Sequence, residues 1–172
     1  TKIMTLYIIF DELNKNNLNI NDKIVFSKKA TQQQPSKLNI PQGKSITVDQ
    51  AIDSLIIKSA NDVTIAVAEK ISGSEKAFVK KMNLIAKEMG LENTNFANPH
   101  GLPNKSNPSS ANDIFILSSE LIKQYPEYLN RFKKKKITIN GKTYKTHNTL
   151  LNKYEYYIGL KTGYIRKSGF QI

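Results

Sequence analysis

The stretch Gly159-Leu160-Lys161-Thr162-Gly163-Tyr164 sets a cation, a hydroxyl and glycine-opened backbone side by side. That combination suits a carboxylate ligand. The ammonium supplies charge, the hydroxyl a directional hydrogen bond, and free N–H groups a place for an oxyanion. The residue types from Tyr157 to Ile165 favour extended backbone, so residues 157–165 are predicted to form a strand. Glycine in a strand marks a place where a ligand or another backbone approaches closely. A second polar group, Ser59-Ala60-Asn61, falls between two apolar periodic segments. On a tight turn its Ser and Asn can face the same way. The hydroxyl can then relay a proton and the amide can orient a substrate amide. The same tripeptide also fits a helix cap, and neither motif alone specifies a reaction.

Composition bounds what these groups can serve. The chain has 172 residues, enough for one full-sized domain with a sizeable core. No apolar run approaches the roughly 20 residues that span a bilayer. Cysteine is absent, which removes disulfides and thiolate metal sites. Lys and Arg number 26 against 14 acids, a net charge of +12. Only Arg131 and Arg166 are arginine, and the lysines are scattered. Interleaved arginines and aromatics, which a nucleic-acid surface uses, are missing. A basic nucleic-acid-binding domain is therefore not expected. The chain opens on Thr1 inside a periodic apolar segment and ends on Phe170-Gln171-Ile172 in mid-pattern. Both ends read as cut, with neighbouring strands lying outside residues 1–172.

Several elements must position the two motifs. Ile3, Leu6, Tyr7, Phe10 and Leu13 predict a helix over residues 2–13. Lys23 to Phe26 and Ser45-Ile46 read as short extended segments, with an irregular connection over residues 30–43. Thr47 and Gln50 form a capping box for a helix ending near Lys58. Ser59 or Asn61 caps the next helix, Val63 to Ile71, whose Ala and Val content predicts burial all round. Ser74 caps a third helix that stops at Gly90. A long loop over residues 93–107 carries Asn98-Pro99-His100-Gly101-Leu102. Ser110 starts another helix, and Pro126 opens a short one reaching Phe132. Asn140-Gly141 predicts a hairpin turn between two strands. The class is α+β.

Taken together, the motifs resemble a known set. Ser-x-x-Lys, Ser-x-Asn and Lys-Thr-Gly mark the serine hydrolases that react with penicillin. Ser59-Ala60-Asn61 and Lys161-Thr162-Gly163 stand in the family's order, and Thr1-Lys2-Ile3-Met4-Thr5 looks like the downstream half of the first motif. The chain resembles the serine-type D-alanyl-D-alanine carboxypeptidases, the low-molecular-mass penicillin-binding proteins. The resemblance extends through Phe96 to Leu102, Ser109 to Asp113 and Asn148 to Leu151. The Asn-Pro-His-Gly-Leu block favours the carboxypeptidases over class A β-lactamases. Glu127-Tyr128-Leu129-Asn130 is one residue short of the lactamases' Glu-x-x-Leu-Asn motif. Two departures concern the third motif: Ile165 stands where threonine is usual, and Lys167-Ser168 replaces a small pair.

The resemblance implies a helical region packed on an antiparallel sheet, with the site between them. A serine two residues before Thr1 would attack the carbonyl between two terminal D-alanines, and Lys2 would take its proton. Ser59 would relay that proton to the leaving amine, and Asn61 would hold the substrate's amide. Lys161, Thr162 and Gly163 would bind the terminal carboxylate, and the Tyr164 N–H would form half of an oxyanion hole. The implied partners are peptidoglycan stem peptides and β-lactams, in an exported enzyme of the cell envelope. Membrane association would come only through other segments, and no cofactor or metal is implied. His100 and His147, the only histidines, read as structural and as surface or packing residues. Residues 1–172 taken alone, lacking the serine, are expected to be inactive or at most a non-covalent binder.

Overall fold

The computed structural model describes residues 1–154, 156–157, 159–165 and 169–171. Helix α1 (Lys2–Asn14) runs through the centre of the core. The sequence periodicity predicts one apolar stripe, yet Met4, Ile8 and Ile9 between its members are buried as well. Helices α3 (Val48–Ile57), α5 (Glu75–Glu88) and α6 (Ala111–Gln124) all pack against it, so no face is left to solvent. Burial of a side chain such as Phe10 contributes about 1.5–3 kcal/mol. Phe10 also stacks on Tyr128, with ring centroids 4.3 Å apart. Tyr125 meets both Tyr7 and Phe10 edge-on, at 5.2 and 6.0 Å. These contacts tie the far end of α1 to the 3-10 helix Pro126–Lys133. Glu127 to Asn130 thus belongs to a packing element.

Capping chemistry sets the helix starts. Thr47 and Gln50 form the reciprocal box that opens α3, and Ser74 and Ser110 each accept an N–H three residues on. Gly90 sits one residue past the α5 cap with φ 71°, a conformation that favours glycine. Helix α4 (Asn61–Ser72) is buried from Asn61 to Ala68. Its N-cap position is Ala60, which has no side chain to cap with; neither Ser59 nor Asn61 takes that role. Instead the Asp62 carboxylate accepts the Val63 N–H at 2.9 Å and turns to the Leu38 and Asn39 N–H groups, at 2.9–3.1 Å. A buried carboxylate thereby pins the irregular 34–40 connection onto the start of α4. That connection follows a short helix α2 (Lys28–Thr31), which the Ser27 cap opens and sequence periodicity does not reveal.

The strands form three antiparallel pairs among the described residues. β1 (Lys23–Val25) pairs with β2 (Ser45–Thr47), and β3 (Lys136–Ile139) with β4 (Lys142–Lys145). β5 (Gly163–Ile165) pairs with β6 (Gly169–Gln171). Asn140 and Gly141 both have positive φ, 49° and 75°, as a type I′ hairpin turn requires. The strand predicted over residues 157–165 is shorter: it starts at Gly163. Gly159, at φ 121°, passes so close to Phe132 that a Cβ would meet the Phe132 Cβ at 2.9 Å. This glycine serves a close approach of core and backbone, outside the strand. The expectations for Ile158 and for Lys167-Ser168 lie outside the described residues.

Candidate active site

Lys2 is the first helical residue of α1 and is buried, 9% exposed. A buried ammonium needs acceptors, and two carbonyl oxygens converge on it. Lys2 Nζ donates to Asn61 Oδ1 at 2.7 Å and to the backbone oxygen of His100 at 2.6 Å. These partners lie 59 and 98 residues away in sequence. Burial and the nearby Lys161 ammonium push the Lys2 pKa from 10.5 to about 7. A lysine so placed exchanges a proton near neutrality, as a general base must.

The Asn61 amide is engaged at both ends. Its nitrogen donates to Gln34 O and Pro35 O, at 3.0 and 3.2 Å, which leaves the oxygen facing Lys2. Asn61 N also donates to Ser36 O at 2.7 Å. The amide nitrogen thus meets two backbone carbonyls of the 34–40 connection. Ser59 precedes it on the same turn, half-buried between α3 and α4, with φ 58°. A positive φ is uncommon for serine, and here it reverses the chain between the two helices.

Lys161 is half-buried, and burial lowers its pKa to about 8. Its Nζ donates to the carbonyl of Thr162 at 2.7 Å. Thr162 is half-exposed, Gly163 is exposed, and the Tyr164 side chain is 61% exposed on β5. The structure therefore brings Lys2 and Asn61 into contact, puts Ser59 on the Asn61 turn, and sets Lys161 within electrostatic reach of Lys2. The two lysines share one region despite being separated by most of the chain.

The loop after α5 contributes more than the sequence reading assigned to it. Thr5 Oγ1 donates to Pro99 O at 2.8 Å, one residue before the carbonyl that meets Lys2. The His100 ring is half-buried and neutral: its Nδ1 accepts the Leu102 N–H at 3.1 Å. Burial, with Lys2 nearby, lowers the His100 pKa to about 4. His147 is exposed overall; partial desolvation of its ring, with Lys58 and Lys161 nearby, lowers its pKa. The signal for the His100 carbonyl was its Asn-Pro-His-Gly setting; the direction of a backbone carbonyl is not encoded in residue type.

Known proteins share this arrangement of chain. The profile of the peptidase S11 family, D-alanyl-D-alanine carboxypeptidase, matches residues 1–172. D-alanyl-D-alanine carboxypeptidase DacF of Bacillus subtilis is 39% identical over 173 residues, covering 95% of this chain and 43% of the relative. DacA of Haemophilus influenzae is 32% identical, covering 100% of this chain and 45% of the relative. The chain thus spans under half the length of these curated relatives. Among solved structures, penicillin binding protein 5 from Haemophilus influenzae superimposes with a TM-score of 0.93 at 31% identity, over 98% of this chain and 50% of that one. Penicillin-binding protein D2 from Listeria monocytogenes, in its ampicillin-bound form, gives 0.86 at 29% identity, over 98% and 69%. The chain belongs to the peptidase S11 family, D-alanyl-D-alanine carboxypeptidase.

Proposed function

We propose that the protein hydrolyses the terminal D-Ala–D-Ala bond of peptidoglycan stem peptides through a serine acyl-enzyme, and that β-lactams acylate the same serine. The nucleophile is a serine two residues before Thr1, one helical turn from Lys2. Its oxygen attacks the carbonyl while its proton passes to the neutral Lys2 amine. The Tyr164 N–H and the serine's own N–H receive the developing oxyanion. As the C–N bond breaks, Ser59 relays the proton from Lys2 to the departing D-alanine amine. Water then cleaves the ester, and the serine regains its proton. Lys161, Thr162 and Gly163 hold the terminal carboxylate, and Asn61 orients Lys2. The reaction belongs outside the cytoplasm, at the cell envelope where stem peptides are found.

The observation that carries this reading is the pair of carbonyl oxygens closing on a buried Lys2 near a second, half-buried lysine. Full-length protein incubated with a peptide ending in D-Ala-D-Ala should release free D-alanine, and benzylpenicillin should block the release. Release that persists in Lys2→Met, or no release by the full-length protein, would contradict the assignment.

A further inference from the structure

We propose that Asn98 is a positioning residue: it sets the His100 carbonyl on Lys2 and so aims the lysine's lone pair at the nucleophile. The inference rests on Lys2 being the general base. A neutral amine has two N–H bonds and one lone pair, whereas the ammonium has three N–H bonds. Asn61 Oδ1 and His100 O accept two N–H bonds from Lys2 Nζ. With both acceptors in place the remaining tetrahedral direction is fixed, and only there can a proton be taken or returned. Removing either acceptor frees the amine to rotate.

Asn61 is braced by Gln34 and Pro35. The His100 carbonyl is braced by Asn98. The Asn98 side chain is 7% exposed and spans the turn. Its Oδ1 accepts the Gly101 N–H at 2.7 Å, and its Nδ2 donates to Leu102 O at 3.0 Å. The peptide between His100 and Gly101 carries both that N–H and the carbonyl that meets Lys2. Peptide planarity makes their directions opposite, so holding the N–H holds the carbonyl. Gly101 itself presses on the first turn of α1: a Cβ there would stand 3.0 Å from Thr1 Cβ, and its φ is 83°. Thr5, donating to Pro99 O, fixes the neighbouring carbonyl. Asn98 never meets Lys2 and acts through the backbone.

The test uses full-length protein and benzylpenicillin, with the acylation rate constant separated from the dissociation constant of the non-covalent complex. Asn98→Ala should lower the acylation constant about ten- to a hundredfold, as small misplacements of a catalytic group do. The dissociation constant should stay in place, because Lys161 is untouched. Asn83→Ala is the control: Asn83 braces Phe96 in the same loop at both N–H and C=O, without touching the turn. It should lower thermal stability and leave the acylation constant unchanged. Asn98→Asp keeps the acceptor for Gly101 and loses the donor to Leu102, so it should fall between wild type and Asn98→Ala. It also serves if the alanine variant does not fold. A second readout needs no acylation: the NMR titration of the Lys2 ε-carbon. Losing a carbonyl acceptor destabilises the ammonium, so Asn98→Ala should move the midpoint to lower pH, with Lys161 and the His100 ring as its titrating neighbours; the new carboxylate of Asn98→Asp favours the ammonium, so that variant is read through acylation alone. Equal acylation losses in the Asn98 variants and Asn83→Ala, or an unmoved Lys2 midpoint, would overturn the proposal. Absence of any acylation in wild type would instead refute the enzyme reading, and the titration would still decide the role of Asn98.

Discussion

Lys2 Nζ and Asn61 Oδ1 meet at 2.7 Å, joining the first turn of α1 to the first turn of α4 across 59 residues. In the proposed mechanism this contact makes Asn61 part of the proton-transfer apparatus. Asn61→Asp would set a carboxylate against the amine and raise the Lys2 pKa. The acid limb of the penicillin acylation profile should therefore move to higher pH, and a limb that stays in place would show that Asn61 does not govern Lys2.

Activity as a function of pH should be bell-shaped. In the proposed mechanism Lys2 must be neutral to accept a proton, so the rate should rise through about pH 7. Lys161 must be charged to hold a carboxylate, so binding weakens above about pH 8. Lys161→Met removes the neighbouring cation and should move the acid limb to higher pH while weakening the non-covalent complex. Acylation rates measured across the range check both limbs.

Stability should depend on pH through the same groups. The folded chain holds Lys2 near 7 and the unfolded chain near 10.5, so between those values the unfolded state binds more protons. Stability therefore rises with pH across that window. Above pH 10 the slope should reverse, because burial holds Tyr7 and Tyr125 protonated beyond their ordinary range. On the acid side, His100 stays neutral down to about 4 when folded, so stability falls as pH drops from 6.5 towards that value. Denaturant titrations in these windows should show all three slopes, and Lys2→Met should flatten the first.

Asp62 accepts three backbone N–H groups, from Leu38, Asn39 and Val63. Asp62→Ala leaves these donors without their acceptor and should cost about 3 kcal/mol. It should also release the connection that braces Asn61, so acylation should slow together with the loss of stability. Urea unfolding and acylation measured on one variant would show whether the two effects travel together.

Much of this architecture was legible from residue types. Thr47 with Gln50, Ser74, Ser110 and Asn140-Gly141 act locally, and each signal sits beside the element it starts or turns. The α+β class and the family followed from Ser59-Ala60-Asn61, Lys161-Thr162-Gly163 and the Asn98 to Leu102 block. What escaped depends on distant contacts. Gly159 lies outside the strand with Phe132 packed close against it, and no local propensity carries that information. The occupancy of the Asn61 amide by Gln34 and Pro35 comes from an irregular connection without periodicity. The acceptor that matters at His100 is its backbone oxygen, which every residue has.

In the proposed mechanism Lys2 activates a serine one helical turn before it. Intact-mass analysis of full-length protein after exposure to benzylpenicillin, followed by peptide mapping, tests this most directly. The expected result is a single penicilloyl adduct on the serine two residues before Thr1, lost in Lys2→Met while the fold is kept. An adduct on Ser59, or undiminished labelling of Lys2→Met, would contradict it.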